Sequence, residues 1–223
     1  MRIAWKPCTA ELIGAFGLSF IGAGAICADA LTGGKVGLLG IAVAHGLVLS
    51  IMVSATGHLS GGHLNPAVTG AFLVTGRMKP EMAAQYVVSQ LIGATLAGFA
   101  LKACFLEVTW RKAMLGTPML AAGVTQGRGI LIEAILTFFL VFAVFGTAVD
   151  TNGPKIGGFG IGLTIAYCIL MGGPLTGASM NPSRTFGPAL AGGYWNGHMV
   201  YWIGPLIGGA VAGLLYDAIR GRK

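Results

Sequence analysis

Two stretches of this chain repeat one another with changes: Ser60-Gly61-Gly62-His63-Leu64-Asn65-Pro66-Ala67-Val68-Thr69 and Thr176-Gly177-Ala178-Ser179-Met180-Asn181-Pro182-Ser183-Arg184-Thr185. In both, an Asn-Pro pair follows a loop of small and polar residues. Asparagine is a preferred helix N-cap and proline a preferred first helical residue, so both copies read as loop-to-helix starts. A capping asparagine uses its side-chain oxygen, which leaves its NH2 free to donate. Two such donors at one spot suit a passing oxygen atom. Two helix N-termini meeting there, each worth roughly half a positive charge, repel cations.

Other polar residues stand in apolar surroundings. Arg184 lies three positions after Asn181, one turn into the second helix. A charge at bilayer depth costs about 2.5–3.5 kcal/mol or more, which makes a role facing water or a pore the default for it. Glu11 and Glu133 are equally expensive, and each is suited to accept hydrogen bonds from the loop that leads into an Asn-Pro pair. A proton relay through Glu11, Glu133 and His45 is the sharper alternative, and it would turn a channel into a proton-coupled secondary transporter. His58 and His63 bracket Leu59-Ser60-Gly61-Gly62, but no Cys, Asp or Glu stands nearby to complete a metal set. Hydrogen bonding within the loop is the better reading for His63, and no metal or cofactor is expected.

The elements that must position these residues follow from length and composition. Of the 223 residues, 55% are hydrophobic and 9% charged, far from the roughly one quarter charged of soluble domains, so the chain is an integral membrane protein. Apolar segments long enough to span fall at roughly 9–28, 37–56, 82–105, 128–148, 157–175 and 198–219. The helix after Asn65 can run only to about Gly76, and the one after Asn181 only to Gly192-Gly193. At about 18 Å the first is too short for a hydrocarbon core of about 30 Å. The expected fold is therefore all-α and polytopic, with six transmembrane helices and two re-entrant half-helices in one domain, residues 1–223. The 38 glycines suit close helix packing in lipid.

The halves, approximately 8–105 and 128–219, also match in detail. Glu11, Phe16, Leu18 and Phe20 line up with Glu133, Phe138, Leu140 and Phe142, and Asn65 with Asn181. Three spans separate each pair, an odd number, so the second half lies upside down and the special site falls at the midplane. Positive residues set the orientation. Arg2, Lys6, Arg77, Lys79, Lys155, Arg220, Arg222 and Lys223 gather on one side, against Lys35, Lys102, Arg111, Lys112 and Arg128 on the other. That bias puts both termini in the cytoplasm. The same flanking charges account for the net charge of +7 and argue against nucleic acid as a partner.

Cys8, Cys27, Cys104 and Cys168 show no paired spacing and read as small buried hydrophobes, with Cys27 and Cys104 near one membrane face, where a disulfide stays open. Arg2 and Lys6 before an apolar stretch imitate a signal peptide, but the stretch is long enough to span and contains Glu11. Short loops and the absence of a targeting extension point to a prokaryotic inner membrane. No nucleophile, paired acid and base, or metal set suggests an enzyme.

The motifs resemble those of the aquaporin, or major intrinsic protein, family over essentially the whole length. Residues 60–69 meet the signature Ser-Gly-x-His-x-Asn-Pro-Ala-Val-Thr, and residues 181–189 meet Asn-Pro-x-Arg followed by Phe-Gly-Pro-Ala. The resemblance implies a right-handed bundle, one pore per chain and a homotetramer in lipid. It assigns the narrow pore region to Asn65, Pro66, Ala67, Asn181, Pro182 and Ser183, and the outer filter to His45, Ile169, Ala178 and Arg184. Orthodox water channels usually carry an aromatic at the first filter position and histidine at the second, and this chain has neither. Its set looks like that of tonoplast intrinsic proteins, which implies passage of water and ammonia, with urea and hydrogen peroxide as further candidates. Glycerol channels typically place Asp after the filter arginine, where Thr185 stands here. Ser183 replaces the usual Ala of the second motif, with a hydroxyl able to bond a helix carbonyl.

Overall fold

In the computed structural model, which describes residues 4–221, the order of helices is α1 (Trp5–Leu31), α2 (Gly37–Ser60), the short α3 (Pro66–Val74), α4 (Pro80–Cys104), a further short α5 (Glu107–Lys112), α6 (Gln126–Val144), α7 (Gly157–Thr176), the short α8 (Pro182–Gly192) and α9 (Val200–Arg220). Among the described residues, α1, α2, α4, α6, α7 and α9 are long and apolar enough to cross a membrane. The two half-helices begin at Pro66 and Pro182, as the Asn-Pro pairs require. Three features lie outside the expectation. The sixth helix gives way at Phe145 to a single π turn, Phe145–Val149. The α4–α6 connection carries α5. It then enters a turn in which Met114, Leu115 and Gly116 all have positive φ (48°, 52° and 67°).

Packing follows the inverted repeat. α1 packs on α2 and α4 as α6 packs on α7 and α9, and α2 packs on α7 across the middle. The half-helices are crossed: α3 lies against α9, and α8 against α4, so each rests on the last span of the other half. Glycine permits these approaches by leaving backbone in contact with backbone. A Cβ on Gly46 would sit 2.8 Å from the Gly162 carbonyl oxygen, and one on Gly98 would sit 2.8 Å from that of Gly187.

Charges gather at the two ends of the bundle. At one end Arg77 pairs with Asp217 and Arg220 with Asp150, while the Ala4 N–H donates to Gln85 Oε1 at the start of α4. At the other, Lys102 and Lys112 donate to the carbonyls of Ala191 and Ala30. The starts of α1 and α4 thus share an end with the finish of α9, as an even number of spans demands. Arg2, Arg222 and Lys223, counted above for orientation, lie outside the described residues. All four cysteines are free; Cys27 is buried against Ala23, Leu101 and Leu115, and Cys104, which the sequence read as a buried hydrophobe, is exposed because it faces outward in the last turn of α4.

Candidate functional site

The two half-helix starts meet through their asparagines. Asn65 Oδ1 accepts from the Ala67 N–H (2.8 Å), and Asn181 Oδ1 from those of Ser183 and Arg184 (3.0 and 3.3 Å). The NH2 groups are less free than capping alone implies. Asn65 Nδ2 donates to the Met180 carbonyl (2.8 Å) and Asn181 Nδ2 to the Leu64 carbonyl (2.9 Å), so each asparagine ties down the opposite loop. Each NH2 has two hydrogens, and one of each remains for a passing acceptor. The Ser183 hydroxyl donates to Asn181 Oδ1 (2.8 Å) rather than to the expected helix carbonyl. At a helix start the first N–H groups are unpaired while the carbonyls already serve the next turn.

Delivering those carbonyls takes unusual backbone. Gly61 and Gly177 end α2 and α7 in the left-handed region (φ 88° and 80°), and Leu64 and Met180 adopt it too (54° and 53°). A side chain there costs about 1–2 kcal/mol. Buried carboxylates hold both loops against that strain. Glu11 accepts from Ser60 Oγ (2.6 Å), the N–H groups of His63 (2.9 Å) and Leu64 (2.6 Å), and Gln90 Nε2 (2.7 Å). Glu133 accepts from Thr176 Oγ1 (2.7 Å) and the N–H groups of Ser179 (3.0 Å) and Met180 (2.7 Å). Sequence reasoning missed a second pair of struts: Tyr86 donates to the Ser60 carbonyl and Tyr201 to that of Thr176, both at 2.7 Å. Shifting the Asn65–Asn181 register by one residue sets Tyr86 of α4 on Tyr201 of α9 and would have revealed them. Gln90 was missed as well. His63 bonds not within its loop but to Thr69 Oγ1 of α3 (3.1 Å), with the rings of Phe72 and Tyr86 beside it.

Arg184 is buried and reaches two acceptors. Its Nη1 donates to the Gly116 carbonyl (2.7 Å) and its Nη2 approaches His45 Nε2 (3.2 Å). His45 Nδ1 lies 2.8 Å from the Ile41 carbonyl and therefore carries the ring proton, so Nε2 is the acceptor facing the guanidinium. The left-handed turn at Met114–Gly116 aims that carbonyl, and a Cβ on Gly116 would lie 2.6 Å from Ala23 Cα. Ile169 and Ala178 share one buried cluster with Leu136 and Met180, and Ala178 keeps a positive φ (45°).

A narrow cavity of about 10 Å3 runs past Asn65, Asn181 and His63 between Leu18, Val53, Val68, Leu140 and Ile161, room for about one water molecule. It shares Val53, Gly62, Val144 and Ile161 with a wider cavity of about 370 Å3 that opens beside Phe72 and the π turn. Neither Glu11 nor Glu133 lines either space.

Comparison with known proteins agrees with this fold. Residues 2–216 match the family described as Major intrinsic protein. Aquaporin TIP4-4 of Zea mays is 50% identical over 220 residues, covering 94% of this chain and 84% of that protein. Probable aquaporin TIP3-2 of Arabidopsis thaliana is 45% identical over 224 residues, with 93% and 81% covered. The fold also matches the X-ray structure of the aquaglyceroporin from Plasmodium falciparum, with a TM-score of 0.84 at 22% identity over 96% of this chain and 95% of that one. Six helices long and apolar enough to cross a membrane and two crossed half-helices among the described residues, with the family profile running nearly end to end, make this chain a multi-pass membrane member of the major intrinsic protein family, a family of channels and not of enzymes.

Proposed function

We propose that this chain is a passive channel passing water and ammonia in single file, with His45, Ile169, Ala178 and Arg184 as its filter and Asn65 and Asn181 as the midplane donors. One observation carries the filter. In the register that sets Asn65 on Asn181, the mates of His45, Ile169, Ala178 and Arg184 are Ile161, Val53, Gly62 and Val68, and all four line the cavity beside the asparagines. An inverted repeat turns one mouth into the other, which supports convergence of these four residues as of their mates. Ile169 and Ala178 supply an apolar, roomy half, and Arg184 with His45 a polar half that repels cations. The aquaporin relatives support water as the common solute. Ammonia, urea and hydrogen peroxide differ in size and polarity, and stopped-flow light scattering on proteoliposomes with each, and with glycerol, tests the choice. Flux that needs a pH gradient or saturates at low solute would defeat the channel.

A proton-coupled transporter through Glu11, Glu133 and His45 is disfavoured because both carboxylates are committed to loop N–H groups and neither lines the cavity. A homotetramer is the proposed assembly, checked by the mass of the detergent-solubilised protein. The plant origin of the relatives leaves the prokaryotic inner membrane without support. Short loops follow from the packing of the bundle and not from the kind of cell.

A further inference from the structure

The repeat is broken at one buried cluster. His63 of the first loop corresponds to Ser179 of the second, and Thr69 to Thr185. In the register that sets Tyr86 on Tyr201, Gln90 of α4 corresponds to Pro205 of α9. The first half therefore has a chain of side-chain hydrogen bonds, Glu11–Gln90–Thr69–His63, that the second half cannot build. All four residues are buried, with Glu11 and Gln90 fully so.

The direction of every proton in that chain is determined. Each partner of Glu11 is a donor, so its carboxylate only accepts. Gln90 must turn its NH2 to Glu11 Oε2 (2.7 Å), even though this leaves its own Oε1 buried and unpartnered, because the flipped amide would set oxygen against oxygen. The same NH2 gives its second hydrogen to Thr69 Oγ1 (3.1 Å). Thr69 then has one hydrogen to place, and its remaining partner is His63 Nδ1 (3.1 Å). His63 Nδ1 is thus the acceptor, and the ring proton resides on Nε2. His63 lines the narrow cavity beside both asparagines, and Nε2 is the end of the ring that Thr69 leaves free.

We propose that Gln90, acting through Thr69, holds His63 in the Nε2–H form and so adds a third fixed donor beside Asn65 and Asn181 on the α3 side of the midplane. Gln90 and Thr69 are positioning residues, and His63 is the group that meets the solute. With Nε2–H as its free ring end, His63 meets a solute that presents an oxygen or nitrogen lone pair. A reversed ring would put a proton acceptor into the file. The proposal rests on the cavity being the conduction path, but its test reads the ring directly and can fail while flux is normal.

The test is 15N solid-state NMR of the full chain in lipid with labelled histidine, the His63 ring being assigned through Gly62 and Leu64. The expected spectrum of the unaltered protein has a protonated Nε2 and an unprotonated Nδ1 as one form. In Thr69→Val, of equal size, Nδ1 loses its donor and both ring forms appear. In Gln90→Met, Thr69 becomes free to accept, and the Nδ1–H form grows at the expense of the other. Protonation at Nδ1 in the unaltered protein overturns the proposal, as does an unchanged ring in either variant that retains its helical circular dichroism and elution volume. Should neither variant fold, the unaltered spectrum alone decides.

Discussion

Replacing Glu133 with glutamine removes one acceptor oxygen and one charge while keeping size and shape. Three donors converge on the native carboxylate: Thr176 Oγ1 and the Ser179 N–H on Oε1, and the Met180 N–H on Oε2. With the glutamine oxygen turned to the first two, those bonds survive without charge assistance, a loss of about 1 kcal/mol each. The new NH2 then faces the Met180 N–H and leaves a buried donor unpaired, at about 1–3 kcal/mol. Relief of the buried charge offsets part of this sum, so a net destabilisation of about 3 kcal/mol is expected. For a chain of this size that is about 6–12 °C in the melting midpoint. The functional damage should appear in the other half, because the Met180 carbonyl is what holds Asn65 Nδ2. Water flux per channel should fall severalfold by stopped-flow scattering. Glu11→Gln should be milder, since Gln90 can turn its unpartnered Oε1 to the new NH2. Glu133→Gln melting within about 2 °C of the unaltered protein with full flux would refute the reasoning, and so would greater damage from Glu11→Gln.

Arg184→Ala should preserve water flux while admitting protons or solutes larger than ammonia, and unchanged selectivity in the same proteoliposomes would remove Arg184 from the filter. Ile169→His should cut ammonia flux more than water flux, because a polar ring fills the apolar half; an equal loss of both would disprove its assignment. Just past the π turn that follows α6, the Asp150 carboxyl is held below the usual carboxylate range by the Asn152 N–H, helped by the Tyr216 hydroxyl and Arg220. Its stabilisation of the 150–156 turn is complete above the ordinary carboxylate value of about 4 and is lost as pH falls through the lowered one. Protection of those amides from hydrogen exchange should therefore be flat at neutral pH and drop in acid, while Asp150→Asn should show the drop at every pH.

The half-helices were legible because proline, glycine and a bilayer of known thickness leave little choice once Asn-Pro is followed by only a dozen apolar residues. Glu11 and Glu133 were legible because a buried carboxylate must have donors, and the loops are the nearest unpaired backbone. Tyr86, Tyr201 and Gln90 were not, since a tyrosine or glutamine in a membrane helix has several outlets, and only the fold brings these three to the loops. The Gly116 carbonyl gave still less signal: three left-handed residues in a row depend on α5 and α1 packing around them. Free NH2 groups were expected on Asn65 and Asn181 because one helix was considered at a time, whereas the carbonyl that takes half of each NH2 belongs to the opposite half.

That crossing explains why a symmetric scaffold can hold unlike side chains away from the midplane. Each half-helix packs on the last span of the other half, and each asparagine holds the other loop, so the midplane geometry is fixed jointly and needs near-identity of both motifs. Away from the midplane the mates are free to differ. Arg184 is tolerated at depth because Gly116 and His45 both accept from it. At its mate Val68 the residue in the place of His45 is Ile161, which offers no acceptor, and an arginine there would face an apolar wall. A buried cation needs its acceptors built with it, and only one mouth has them. An arginine at one end and a valine at its mate therefore follow from where the acceptors lie, while the asparagines between them keep matching roles in both halves.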